Sequence, residues 1–374
     1  VNASFPRAVA RIDLAAITHN AETLRARAGV ELMAVLKADA YGHGLIPVAR
    51  AAIAGGATWL GTALLQEAIA LRKAGLTEVR IMAWLTPPGD QYLEAIELDI
   101  DLSASSVEAV EEISGIAALA GRPARLHLEV DTGMTRGGAL GAWPKVVAAA
   151  AKQVTVGNVV LAGVWSHFAR ADEPGHPANE AQRNSFEEAL TVVTEAGLKP
   201  EVRHLSNSAA TLVDPKARYD LVRTGIALYG LSPDPRTLGN ASKFDLRPAM
   251  TLTARLLLVK QVPAGVAVSY GGTSITKRAT RVGVVPMGYA DGVPRHGSNA
   301  LAVNFGGKTV SVLGRICMDQ FVIDLGPNST AKAGDEVILF GGEGPSVDAW
   351  AAASGTINYE IVTRLSPRVL REYL

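Results

Sequence analysis

A single cysteine, Cys317, stands in 374 residues, so no disulfide can form within the chain. The fold must then be held by its core, and a reducing compartment is the expectation. Neither sign of charge is in excess, since Lys+Arg and Asp+Glu both number 36. That balance argues against nucleic acid and against an anionic membrane as partners. No uninterrupted apolar run approaches membrane-spanning length. The opening residues VNASFPRAVARIDL carry Arg7, Arg11 and Asp13 and lack an apolar core of signal length. The Gly-rich turn that follows the first strand of a dinucleotide-binding sheet is missing too. There are no internal repeats or low-complexity tracts. A soluble, cytoplasmic protein is expected.

What is present is apolar and periodic. Hydrophobic residues make up 48% and charged residues 19%, enough for a sizeable core. Short apolar runs recur at 32–36, 58–61, 79–84, 99–102, 124–130, 159–165, 202–205 and 221–224. Nearly every gap between them holds a helical pattern, such as Leu64, Ala68 and Leu71 ending at Gly75. Alternating strands and helices imply a parallel sheet, and eight such units fit a (β/α)8 TIM barrel. A doubly wound sheet is the alternative. After Gly230 the Pro- and Gly-rich stretch LSPDPRTLGN reads as a linker. From Ala249 the signal is β: Leu252, Ala254, Leu256 and Leu258 alternate, and turns fall at Pro263–Gly265, Gly306–Gly307 and Ala333–Asp335. One helical segment is expected from Val347 to Arg364. The fold class is thus α/β, a barrel over 12–242 followed by a mostly antiparallel β domain over 243–374.

One stretch organises the barrel. Met33-Ala-Val-Leu-Lys-Ala-Asp-Ala-Tyr-Gly-His-Gly44 opens as a buried strand and turns polar at Lys37. A loop with Tyr41 and His43 follows, and a helix starts near Leu45 and stops at Gly55-Gly56. A lysine at the carboxyl end of a buried strand loses hydration, which frees its amine as a nucleophile or base. Such lysines form Schiff bases with carbonyl cofactors. A solvated, snorkelling lysine is the plainer alternative.

Barrel enzymes work at the carboxyl ends of their strands. There this sequence places Lys37 and Tyr41, Glu129-Val-Asp-Thr-Gly-Met-Thr-Arg136, Trp165-Ser-His167, His204-Leu-Ser-Asn207-Ser208 and Arg223-Thr-Gly225-Ile226. The last two loops are the usual phosphate site of the architecture. Asn207, Ser208, Gly225 and Ile226 offer hydroxyl and backbone N–H donors for one. Helix capping is the other reading of Asn207-Ser208, and an ion pair with Asp220 is the other reading of Arg223.

The string AVLKADAYGHG resembles the cofactor-lysine motif of the alanine racemases, which bind pyridoxal phosphate. The resemblance runs from Arg11-Ile-Asp to Arg364-Leu-Ser-Pro-Arg-Val-Leu-Arg-Glu-Tyr. It implies that residues 1–11 pack on the second domain before the chain enters the barrel. It implies that Lys37 carries the cofactor and that Tyr41, Asn207, Ser208, Gly225, Ile226 and Tyr359 hold its phosphate. Arg223 would face the pyridine nitrogen. An arginine cannot deliver a proton, so the ring would stay a weaker electron sink than one held by a carboxylate, favouring proton return at Cα over transamination. No metal is implied.

Racemisation needs an acid–base group on each face of a planar carbanion. By resemblance these are Lys37 and Tyr270, which follows Val266-Ala-Val-Ser269. Ionising an ordinary phenol at pH 7 costs roughly 4 kcal/mol, and in the family a histidine and the ring-facing arginine, here matching His167 and Arg223, help to offset it. Tyr270 would come from the second subunit of a head-to-tail homodimer with shared active sites. The same partner would supply Met318, whose backbone contacts the substrate carboxylate, and Tyr289 and Asp319 at the entrance. Arg136 matches the arginine that binds the substrate carboxylate and the cofactor phenolic oxygen. The implied reaction is L-alanine to D-alanine and back, by two-base proton abstraction and return at Cα, feeding bacterial peptidoglycan. Serine or a broader amino-acid range, a pyridoxal-dependent decarboxylase and a non-catalytic pyridoxal-phosphate-binding protein are the alternatives. Cys317 reads as a small packed hydrophobe.

Glu129 departs from the pattern. Many members carry a carbamylated lysine there, two residues before Asp-Thr-Gly, whose negative charge orients the arginine. Glutamate keeps the charge on a much shorter side chain. It is expected to reach Arg136 through water, an anion or a shifted loop, or not at all.

Overall fold

The computed structural model describes residues 6–374, and they fall into two compact units. The first comprises Ala15–Ala40 and Leu45–Arg247. The second comprises the N-terminal segment through Leu14, Tyr41–Gly44 and Pro248–Leu374.

The first unit is a (β/α)8 barrel. Its strands are β2 (Glu31–Val35), β3 (Trp59–Thr62), β4 (Arg80–Ala83), β5 (Asp101–Ala104), β6 (Ala124–Glu129), β7 (Val159–Trp165), β8 (Val202–His204) and β9 (Leu221–Thr224), β1 belonging to the second unit. They lie in the order β8-β7-β6-β5-β4-β3-β2-β9, and the paired neighbours run parallel. Closure comes between β9 and the chain at and after β8: Arg223 N–H donates to Ser206 O at 3.0 Å and Asp220 N–H to Arg203 O at 3.1 Å. All eight apolar runs of the sequence become these strands. The longest of them, buried on both faces, is near-continuous in hydrophobicity: Val-Val-Leu-Ala-Gly-Val-Trp of β7. Helices return the chain between strands. The helix Val107–Ala120 shows how its ends are set: Ser106 Oγ accepts the Ala109 N–H at 3.1 Å, and Gly121 closes it.

Inside the barrel, Met33, Trp59, Met82, Trp165, Val202 and Leu221 form an apolar cluster. Among these lie side chains rare in a core: Asp101, His127, His204 and Arg223, all buried.

The second unit is built on a nine-stranded sheet that β1 (Ala8–Ile12) joins. The remaining strands are β10 (Met250–Arg255), β11 (Leu258–Val262), β12 (Ala267–Val268), β13 (Ser274–Ile275), β14 (Thr280–Val285), β15 (Ala302–Phe305), β16 (Lys308–Leu313), β17 (Phe321–Gly326), β18 (Glu336–Phe340) and β19 (Leu370–Tyr373). The sheet order is β11-β14-β17-β16-β15-β18-β10-β1-β19, with β12 and β13 paired separately. Every pairing is antiparallel except β1 with β19. Residues 1–5 of the N-terminal segment expected on this domain lie outside the described residues. The helical segment expected from Val347 to Arg364 is in fact two helices, Val347–Ala353 and Asn358–Thr363. Gly355, at φ +66°, breaks the run. Trp350 packs edge-on against Phe340 with ring centroids 5.3 Å apart, and its Nε1 donates to Ala302 O at 2.9 Å. No helix among the described residues is long and apolar enough to cross a membrane.

Candidate active site

Lys37 follows β2 and begins a helical turn, Lys37–Gly42, where a loop is expected from sequence. The turn is left-handed: Ala38, Asp39, Ala40 and Tyr41 have φ between +52° and +55°, and Gly42 has φ +78°. Each L-residue so placed costs roughly 1–2 kcal/mol, so the surroundings must impose the turn. Glu67 Oε1 accepts the Ala38 N–H at 2.6 Å, and Asp39 Oδ1 accepts the Leu45 N–H at 2.8 Å. Gly42 is needed for space as well as for φ, since a Cβ there would lie 2.3 Å from Val362 O. Lys37 is half-buried, with Nζ 5.9 Å from the Trp84 ring centre. Burial, reinforced by the charges of Arg136 and Arg223 and opposed by Glu67, lowers its pKa. The amine is thereby pushed toward its reactive, uncharged form.

Arg223, in β9, is held at both terminal nitrogens. Nη1 donates to His204 O at 2.9 Å and faces His204 Nδ1 at 3.2 Å. Nη2 donates to Ser166 O at 2.7 Å and Leu205 O at 3.2 Å, and faces His167 Nδ1 at 3.3 Å. The guanidinium lies 4.9 Å from the Trp165 ring centre. No carboxylate pairs with it among the described residues, and its Nε makes no hydrogen bond there. Asp220 is not its partner but that of Arg203, at 2.8 Å. Burial, followed by the charges of Arg223, Arg136 and Lys37, holds His167 well below the usual imidazole pKa. Its neutral ring accepts from Arg223 at Nδ1 and carries its proton on Nε2.

The loops after β8 and β9 meet through Ser208, whose Oγ accepts the Gly225 N–H at 2.9 Å and the Ala227 N–H at 3.4 Å. Asn207 caps the helix Ser208–Val213, its Oδ1 accepting the Ala210 N–H at 3.1 Å. The backbone N–H groups of Ser208 and Ile226 take no acceptor among the described residues, so this turn can receive an anion.

Glu129 ends β6. Its carboxylate lies against Gly137, where a Cβ would stand 3.0 Å from Oε1, and it forms no ion pair with Arg136. Burial pushes its pKa up to about 7, against the charges of Arg223 and Arg136 and with a small push from Asp131. Arg136 is exposed on a loop whose start is wound around Asp131 Oδ1, which accepts from Gly133, Met134 and Thr135 at 2.9–3.1 Å.

The other candidates lie in the second unit. Buried Tyr41 and half-buried Tyr359 have ring centroids 6.2 Å apart. Tyr270 starts a short turn and is 71% exposed. It is placed by Ser269, whose Oγ donates to Arg315 O at 2.6 Å. Tyr289 and Met318, also exposed, are neighbours: the Tyr289 and Ala290 N–H groups donate to Cys317 O and Met318 O at 3.1 and 3.0 Å. Asp319 pairs with Arg368 at 2.7 Å.

Sequence reasoning missed Glu67, Trp84 and the buried polar side chains behind Arg223. Their signal was faint: His127 is a polar residue inside the apolar run Leu126–Leu128, and Asp101 sits beside Leu102 at the head of a strand.

A barrel that brings a lysine of lowered pKa, a donor-lined anion turn and an arginine without a carboxylate to one end has the make-up of a cofactor-dependent enzyme. Comparison with known proteins names the group. Residues 12–233 match the family model of the alanine racemase N-terminal domain, and residues 249–373 that of the C-terminal domain. An alanine racemase of Frankia casuarinae is 54% identical, covering 98% of this chain and 96% of its own. The crystal structure of alanine racemase from D-cycloserine-producing Streptomyces lavendulae superposes with a TM-score of 0.97 at 50% identity, covering 99% and 98%. That of Bartonella henselae, with covalently bound pyridoxal phosphate, gives 0.88 at 28%, covering 99% and 100%. The chain belongs to the alanine racemase family, whose members are pyridoxal-phosphate-dependent isomerases. Its residues fit that cofactor: the half-buried amine of Lys37, the open N–H groups at Ser208 and Ile226, and the unpaired Nε of Arg223 are the three groups it requires.

Proposed function

We propose that this chain interconverts L-alanine and D-alanine, supplying the D-isomer that its family contributes to bacterial peptidoglycan. The observation that carries this reading is Arg223, buried at the site and tied to carbonyl oxygens and imidazoles instead of a carboxylate. Pyridoxal phosphate, when bound, withdraws electrons from the substrate Cα and makes its proton removable. Ser208, Gly225, Ile226 and Asn207, with Tyr41 and Tyr359, would hold its phosphate, and Lys37 would hold its carbonyl carbon. Arg223 keeps the ring nitrogen unprotonated, because a guanidinium does not give up its proton. Charge withdrawn from Cα would then stay near Cα, which favours proton return there over transamination.

Lys37 takes or returns the proton on one face of Cα, and its lowered pKa suits that work. Tyr270 serves the opposite face, supported by His167. Arg136 binds the substrate carboxylate. Tyr270, Tyr289 and Met318 are exposed on their own unit, which accords with their use in a second chain's site. The working molecule is therefore a head-to-tail homodimer, and Tyr289, Met318 and Asp319 of each chain line its neighbour's entrance. A reducing cytoplasm suits the single cysteine.

Chiral chromatography of L-alanine incubated with the cofactor-loaded protein tests this. Near-equal enantiomers are expected, with serine converted far more slowly. Cofactor bound at Lys37 with no D-alanine formed would overturn the reading in favour of another amino acid or of a cofactor-binding protein.

A further inference from the structure

Behind Arg223 a row of buried polar groups crosses the barrel interior. His204 Nδ1 faces Arg223 Nη1 at 3.2 Å, and on its other side His204 Nε2 stands 2.9 Å from His127 Nδ1. His127 Nε2 stands 2.9 Å from Asp101 Oδ2. Asp101 is 1% exposed and both histidines are 0% exposed. At the amino ends of the strands Asp101 meets Arg80 and, at 3.1 Å, Arg125, and both arginines reach Glu201 near the surface. The fold makes room for the row. Gly163 of β7 is paired with His127, and a Cβ at 163 would lie 2.2 Å from His127 Nδ1.

The protons in this row are determined from both ends. A guanidinium only donates, so His204 Nδ1 carries a lone pair. The neutral ring then bears its proton on Nε2 and donates to His127 Nδ1. At the far end, burial opposes the charge of Asp101, but the His127 hydrogen bond with the charges of Arg80 and Arg125 outweighs it and keeps the carboxyl below its usual pKa. An ionised carboxylate only accepts, so His127 bears its proton on Nε2 too. Burial keeps both imidazoles below their usual pKa, most strongly His204. The two assignments agree, and every ring nitrogen of His127 and His204 has a partner.

We propose that Asp101 is a positioning residue for the racemisation reaction: through His127 and His204 it presents Arg223 with an acceptor and so sets the orientation of the guanidinium at the cofactor. This rests on the functional reading above. In Asp101→Asn one carboxylate oxygen becomes an N–H2 group facing donors. The amide turns its oxygen to Arg125 and its N–H2 to His127, Arg80 keeps Glu201 as its carboxylate partner, and both imidazoles shift their protons to Nδ1. His204 then aims an N–H at Arg223, which must turn away.

The test is the nitrogen spectrum of the holoenzyme labelled with 15N-histidine, assigned by single His→Gln variants. In the wild type both His127 and His204 should be neutral with the proton on Nε2. In Asp101→Asn both should carry it on Nδ1, the visible absorption of the bound cofactor should shift, and kcat should fall about tenfold to a hundredfold with KM little changed. Gly163→Ala, which displaces His127 without touching a charge, should lower kcat in the same way. Glu201→Gln, which removes the other partner of Arg80 and Arg125, should leave tautomers and kcat unchanged. A wild-type spectrum with either ring charged or protonated on Nδ1 overturns the proposal even where a variant fails to fold. So does an unchanged kcat in both Asp101→Asn and Gly163→Ala. Wild-type protein with the expected tautomers but no racemase activity would instead overturn the reading of function.

Discussion

Glu67 holds the backbone of Ala38. Its Oε1 accepts that N–H at 2.6 Å, while its Oε2 accepts those of Ala63 and Leu64, each at 3.2 Å. One carboxylate therefore clamps the left-handed turn that starts at Lys37 to the loop after β3. Glu67→Ala removes three charge-assisted hydrogen bonds. Each hydrogen bond to a charged group is worth about 1.5–3 kcal/mol, and the three share one half-buried side chain, so a loss of about 3 kcal/mol in stability is expected. Pyridoxal phosphate should also bind more weakly, because the turn no longer holds Lys37. A denaturant titration beside a cofactor titration checks both, and wild-type values in both would refute the clamp.

Glu129 gives a pH prediction. Its folded pKa of about 7 lies above the ordinary glutamate value of 4.5. The folded state therefore binds more protons than the unfolded state between these values. By linkage, Glu129 supports stability below pH 4.5 and lowers it as the pH rises through 7. In Glu129→Gln that decline should be absent, and the variant should be more stable than the wild type at pH 8. Above pH 7 the ionised carboxylate supplies the negative charge facing Arg136 and Arg223. The wild-type kcat/KM profile should then show an inflection near pH 7 that Glu129→Gln lacks. Identical profiles would mean that Glu129 has no part in placing Arg136.

Tyr270→Phe separates chemistry from stability. The side chain is exposed on its unit, so the melting temperature should change little for the isolated chain. If Tyr270 is the second of two acid–base groups, as proposed, its loss should lower racemisation by about a hundredfold to ten-thousandfold. In deuterated water the variant should still exchange the Cα proton of the isomer that presents it to Lys37. Equal exchange from both isomers would assign the second base to another residue.

Shared sites predict complementation. Lys37→Ala and Tyr270→Phe chains are each expected to be nearly inactive alone. Mixed in equal amounts and allowed to exchange, half the dimers are mixed, and each of these holds one intact site and one doubly altered site. About a quarter of wild-type activity should return if the dimer is head-to-tail with sites built from both chains. No recovery, with exchange verified by mass, would place Lys37 and Tyr270 of one chain in the same site.

Much of this was legible in the chain. Strand and helix leave short-range marks, a near-continuous apolar run or a period of 3.6, and all eight barrel strands carry theirs. Lys37 was visible because it ends such a run abruptly. The second domain read less well. β15 (Ala-Val-Asn-Phe) and β19 (Leu-Arg-Glu-Tyr) interleave polar with apolar residues and show no clear apolar run, and Gly355 splits a helical segment whose apolar spacing continues across it.

By itself the sequence determined what is local and what is compositional: the barrel's eight units, the β-rich C-terminal part, the absence of disulfides, and the motif around Lys37. The tertiary structure decided which charges meet. Asp220 is three residues from Arg223 but pairs with Arg203, while Asp101, more than a hundred residues away, reaches Arg223 through His127 and His204. In a closed barrel alternate side chains point inward and strands distant in sequence face each other across the interior. Partners there are chosen by register and closure, which no window along the chain contains. The same holds for the left-handed turn at Lys37, whose residues have no preference for that conformation and take it because Glu67 and the chain around Gly42 leave no other.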